Sequence, residues 1–140
     1  AEAVIEMLDY AGIDIKGKRV TVVGRSLVIG KPVSMLLMKR NATVTVCHTK
    51  TVDMAGTCKN AEILVAAAGS AHMIKKEYVA DGAVVIDVGI NVDDEGNLCG
   101  DVDFDAISDI AAAATPVPGG VGSVTTSVLA KHLVKAAMAR

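Results

Sequence analysis

Apolar residues in this chain gather in short runs punctuated by glycine and polar turns, and between those runs they recur at helical spacing. Val4, Ile5, Leu8 and Ala11 share one helical face and Gly12 follows as a stop, which predicts a helix over 2–11. Val20, Val22 and Val23 form a β-branched run of the kind buried on both faces of a parallel sheet, and Gly24 ends it. Pro32 is expected at the first position of the next helix, where no backbone N–H is needed, with the helix closing near Arg40 and Asn41. Further strands are expected at 42–47, 61–66 and 83–89. Residues 104–110 read as helix and 111–114 as helix or strand, whereas 115–122 holds two prolines and three glycines and reads as a shaped loop. From Ser123 onward, Val124, Val128, Leu129, Leu133 and Ala136 predict a closing amphipathic helix.

Strands and helical segments alternate without a repeat or a low-complexity linker. The expected fold is therefore one Rossmann-like, doubly wound α/β domain over 1–140, its mostly parallel sheet covered by helices on both faces. Ligands of such sheets lie across the carboxyl ends of the strands, an edge expected to carry Gly24, Thr49, Gly69 and Gly89.

The only aromatic residues are Tyr10, Tyr78 and Phe104, so the core must be built from Val, Ile, Leu, Ala and Met. With 14 basic residues against 16 acidic, neither nucleic acid nor an anionic membrane is an expected partner. Cys47, Cys58 and Cys99 are odd in number and widely spaced, which fits neither a disulfide framework nor a metal site. A reduced, cytoplasmic setting is expected. No apolar run approaches the roughly 20 residues of a membrane span, and no secretory signal pattern opens the chain. The chain starts at Ala1 rather than Met and opens directly in helix-like sequence, so it is expected to be a piece of something longer.

The candidate chemistry centres on the turn after the first strand. A strand running into Gly24 and at once into a helix aims N–H groups and a positive dipole end at one point, which suits a phosphate. The spacing departs from Gly-x-Gly-x-x-Gly, with Ser26 at the second glycine and Gly30 one residue late, and a plain strand-to-helix joint is the competing reading. Arg25 and Ser26 favour the phosphate, being polar in the turn without a packing reason to be there. At the end of the second strand, His48-Thr49-Lys50-Thr51 offers hydroxyls and a cation where an NAD-specific domain usually places a carboxylate. With Arg25 nearby this favours NADP over NAD, the alternative being that Lys50 and Thr51 open a solvated helix. Ala67-Ala68-Gly69-Ser70 would let a flat ligand approach the backbone, or would simply pack tightly. His72 reads as a bystander, 93–97 as a solvated turn, and Asp101 and Asp103 as caps of the helix at 104.

Taken in order, Val23-Gly24-Arg25-Ser26, Gly30-Lys31-Pro32, the run 42–51, Val85-Ile86-Asp87-Val88-Gly89-Ile90-Asn91, Gly100-Asp101-Val102-Asp103-Phe104 and Thr115-Pro116-Val117-Pro118-Gly119-Gly120-Val121-Gly122 resemble one known family. It is the cofactor-binding half of bifunctional methylenetetrahydrofolate dehydrogenase/cyclohydrolase, and the resemblance covers essentially the whole chain. It implies oxidation of methylenetetrahydrofolate with NADP, then hydrolysis to formyltetrahydrofolate. It further implies Gly24, Arg25 and Ser26 as phosphate-loop contacts backed by Gly30, with Arg25 and Thr49 on the adenosine 2′-phosphate. Gly69, Ile90 and Thr125 are then cofactor contacts, and Pro118, Gly119 and Gly120 the wall facing the folate. Ser123-Val124 departs from the Pro-Met usual after that loop.

In the family, the Tyr and Lys of the hydrolytic step and most of the folate pocket lie in a separate amino-terminal domain. No catalytic residue is therefore expected in this chain, which should bind NADP weakly and turn over almost nothing alone. The folate would be shared with that other domain, and a homodimer is expected. The other readings are a different Rossmann-type dehydrogenase domain and a nucleotide-sensing regulatory module.

Overall fold

A computed structural model of the chain describes residues 1–117 and 119–121. The elements follow in the order α1 (Glu2–Tyr10), β1 (Arg19–Val23), α2 (Gly30–Lys39), β2 (Thr43–Cys47), α3 (Met54–Lys59), β3 (Ile63–Ala66), a 3₁₀ turn (Lys76–Tyr78), β4 (Val84–Asp87), β5 (Asn91–Val92), β6 (Leu98–Cys99), α4 (Phe104–Ile107) and β7 (Ala113–Ala114). Five strands pair in the order β2-β1-β3-β4-β7, every pair parallel, and β5 and β6 form a separate antiparallel hairpin. The expected doubly wound α/β architecture is what the chain adopts.

Alternation along the strands explains why the sheet is covered twice. Val20 and Val22 of β1, Ile63 and Val65 of β3, and Ile86 of β4 pack with Val4 and Leu8 of α1 and Val33 and Leu37 of α2. Their neighbours Val23, Leu64, Ala66 and Val85 turn to the opposite face, against Cys58, Val79 and Ile107. Cys47 joins this second core, and all three cysteines are buried free thiols. Burial pushes the Cys58 thiol up to about 12.

Several boundaries differ from the expectation. Helix α2 starts at Gly30, so Pro32 is its third residue; its missing N–H costs nothing there, since the first-turn amides have no intrahelical acceptor. Helix α4 stops at Ile107 and a turn completes the expected 104–110 segment, while Ala113 and Ala114 resolve as strand. The closing helix expected from Ser123 lies outside the described residues. Among the described residues no helix is long and apolar enough to cross a membrane.

Candidate functional site

The strand order places β2 on one side of β1 and β3 on the other, so the connections leave the sheet in opposite directions between the carboxyl ends of β1 and β3. Such a switch point opens the crevice in which α/β sheets bind ligands. Register carries the neighbouring strand ends to the same edge, with Val23 opposite Cys47 and Ala66, and Ala66 opposite Asp87.

Gly24 stands at this seam with φ 123°. A Cβ there would collide with the Ala67 carbonyl oxygen, and one on Gly30 would collide with the Gly24 carbonyl. The two glycines let strand, turn and helix close on each other. Gly24 N–H donates to Cys47 O (2.8 Å) and Ala67 N–H to Val23 O (2.8 Å), which ties the turn to both neighbouring strands.

The hydrogen bonds of the turn correct two expectations. Ser26 has a structural reason to be there: its Oγ accepts from Ile29 N–H (3.0 Å) and Gly30 N–H (3.3 Å). Its carbonyl also accepts Lys31 N–H (2.9 Å), so the first amides of α2 are already engaged. Among the described residues, none accepts from the amides of Arg25, Ser26, Leu27 and Val28, in the turn itself. Arg25 is exposed and forms no ion pair with a described residue, and Leu27 and Val28 are exposed beside it (80% and 76%).

At the end of β2, His48 N–H donates to Thr51 Oγ1 (2.8 Å) and Thr51 N–H to His48 O (2.9 Å). This closes a turn that leaves Thr49 and Lys50 exposed at the same edge. The solvated helix expected as the alternative begins only at Met54. The first acid after β2, Asp53, is spent on that helix, accepting from Gly56 N–H (3.2 Å).

At the other end of the edge, Ile90 is exposed and shares a cavity of about 160 Å³ with Gly89, Leu98, Pro116, Val117, Gly119 and Gly120. Ile90 and the glycine wall expected to face the folate are therefore brought together, whereas Pro118 and Thr125 lie outside the described residues. His72 is exposed, in a turn with φ 55°, its N–H bonded to Gly100 O (3.1 Å). Gly69 is exposed at φ 70°, but its N–H is turned inward, to Asp101 Oδ2 (3.1 Å).

That acceptor leaves no signal in the side-chain pattern, because its partners are backbone amides. Asp103 does cap α4, accepting from Ala106 N–H (3.4 Å), but Asp101 does not. Its carboxylate is fully buried and takes the amides of Ala68 (2.6 Å), Gly69 and Ser70 (3.0 Å) and the Asn91 side-chain amide (2.9 Å). Asp87 is buried beside it and accepts from Gly89, Asp101 and Val102 N–H (2.9, 3.1 and 3.0 Å). Burial raises the Asp87 carboxyl above the usual range, the amide donors pull it back down, and the Asp101 charge adds to the rise.

Over residues 1–140 the chain matches the model of the tetrahydrofolate dehydrogenase/cyclohydrolase NAD(P)-binding domain. It belongs to that family. A curated relative from Clostridioides difficile (strain 630), named bifunctional protein FolD, is 61% identical over 134 residues, 96% of this chain and 47% of its own. Among solved structures, the bifunctional enzyme FolD-methylenetetrahydrofolate dehydrogenase/cyclohydrolase from Campylobacter jejuni superposes with a TM-score of 0.96 at 38% identity, over 99% of this chain and 49% of its own. The methylenetetrahydrofolate dehydrogenase-cyclohydrolase of Trypanosoma brucei, solved with NADP cofactor and inhibitor, superposes with a TM-score of 0.85 at 46% identity, covering 93% and 46%. The chain thus spans about half the length of the relatives it matches. Within an NAD(P)-binding domain, the β1–α2 turn at the switch point is the candidate phosphate site and the Ile90 cavity the candidate opposite end.

Proposed function

We propose that this chain is the NADP-binding half of a methylenetetrahydrofolate dehydrogenase, part of a longer protein that also carries the methenyltetrahydrofolate cyclohydrolase activity. One observation carries the reading: four consecutive amides with no partner among the described residues lie beside an exposed guanidinium at the switch point. The residues present fit a dinucleotide phosphate. Gly24 gives the backbone room to turn, the amides of 25–28 meet the pyrophosphate, and Arg25 with Thr49 meets the adenosine 2′-phosphate.

Ile90, Gly119 and Gly120 then border the nicotinamide and the folate. When bound, the nicotinamide supplies the hydride acceptor. A folate nitrogen lone pair can expel hydride from the methylene carbon, so the task of this half is placement, and no proton donor is required of it. The folate pocket and the groups of the hydrolytic step belong to a separate amino-terminal domain, and the whole enzyme is a cytoplasmic homodimer.

The test is calorimetric titration of the chain and of Arg25→Ala with NADP and NAD. NADP should lose about tenfold or more in affinity and NAD less than about twofold, the scale of hydrogen bonds to a charged group. Equal losses for the two dinucleotides would contradict the 2′-phosphate role.

A further inference from the structure

Asp101 carries no exposed surface, and none of the ion pairs among the described residues includes it. Its carboxylate instead gathers three consecutive amides, those of Ala68, Gly69 and Ser70, at 2.6 to 3.1 Å, and the Asn91 side chain at 2.9 Å. Three successive N–H groups aimed at one point form a concavity that attracts anions. Here the chain fills it with its own carboxylate. A Cβ on Gly89 would strike the Asp101 carboxylate and one on Gly100 the Asp87 carboxylate, so the surrounding backbone is fitted to both. The amide of Asp101 is in turn fixed by Asp87 Oδ1 (3.1 Å).

The location gives this arrangement its meaning. Residues 67–70 leave β3 on one side of the switch-point crevice, opposite the β1–α2 turn. Asn91 belongs to the segment leaving β4, next to Ile90. Asp101 therefore ties together the two strand exits on the side of the crevice away from Arg25.

We propose that Asp101 is a positioning residue for the dinucleotide: it occupies the amide concavity of 68–70 and holds the β3 and β4 exits in register with the nicotinamide half. An open concavity there would compete with the β1–α2 turn for a phosphate group; filled, it leaves that turn as the anion site. The inference rests on the reading of the chain as an NADP-binding half.

The test compares two ligands on the full 140-residue chain: NADP, and adenosine 2′,5′-bisphosphate, which has the 2′-phosphate end but no nicotinamide. Asp101→Asn should weaken NADP by about tenfold or more while changing the bisphosphate by less than about twofold. Asn91→Ala, which removes one donor and leaves the carboxylate in place, should weaken NADP by about threefold and spare the bisphosphate. Amide hydrogen exchange at Ala68–Ser70 should speed up in Asp101→Asn while β1 and β2 stay protected. Equal losses for both ligands would overturn the positioning role. So would unchanged NADP binding, or an unfolded Asp101→Asn alongside an Asn91→Ala chain that behaves as wild type. A wild-type chain that binds neither ligand would instead overturn the NADP reading itself.

Discussion

Gly24 faces the carbonyl oxygen of Ala67 across the seam between β1 and β3, and no Cβ fits between them. The contact sets how closely the two strand ends approach at the switch point. It also requires φ 123° at Gly24, a region that favours glycine. Gly24→Ala adds backbone strain to the collision and should cost about 3 kcal/mol of folding stability. Urea unfolding measures this directly, and a loss below about 1 kcal/mol would mean that the seam relaxes without penalty.

Ser26 makes a different prediction, because its hydroxyl is committed to the start of α2. Ser26→Ala leaves Ile29 and Gly30 N–H without that acceptor and should cost about 1 kcal/mol, the scale of a lost side-chain-to-backbone hydrogen bond. The urea midpoint should fall with an unchanged slope. An unchanged midpoint would show that water replaces the hydroxyl at no cost.

Asp87 has a pH signature of definite sign. Its folded-state carboxyl is raised, chiefly by burial, so between its ordinary range and that raised value the folded chain holds more protons than the unfolded one. Its contribution is therefore fully present below the ordinary carboxylate range and is lost as pH rises through the folded value. Asp87→Asn removes the titration. The stability advantage of wild type over Asp87→Asn should accordingly shrink as pH rises through that window, which paired urea titrations would follow. An advantage that grows with pH would contradict the assignment.

How far the residues alone disclose this site depends on what kind of partner each group has. The run Val20–Val23 and the break at Gly24 are legible because burial on both faces selects apolar β-branched residues, and the parallel pairing then follows from alternation with helices, whereas the strand order comes from the structure alone. Ser26 reads as free because its bonds are to backbone amides three and four residues on, and it stands four residues before α2 rather than at the cap position, which Ile29 holds. Asp101 was harder to see. Its acceptors serve amides 31 to 33 residues away, and backbone donors leave no mark in side-chain pattern. The only trace was glycine at 89 and 100, where the two carboxylates leave no room for a side chain. The β5–β6 hairpin escaped because each strand is two residues long; its polar turn is held by Asp93 Oδ1, which accepts Glu95 and Asn97 N–H at 2.9 and 2.8 Å.

If the amides of 25–28, between the buried strand and its helix, receive the phosphates of NADP, binding must register at those four amides. Titrating NADP into the isotope-labelled chain and following each backbone amide by NMR tests it most directly. The resonances of Arg25, Ser26, Leu27 and Val28 should shift downfield, in step with one another and saturating together. Resonances that stay in place at these four residues while saturable shifts arise elsewhere would contradict the account.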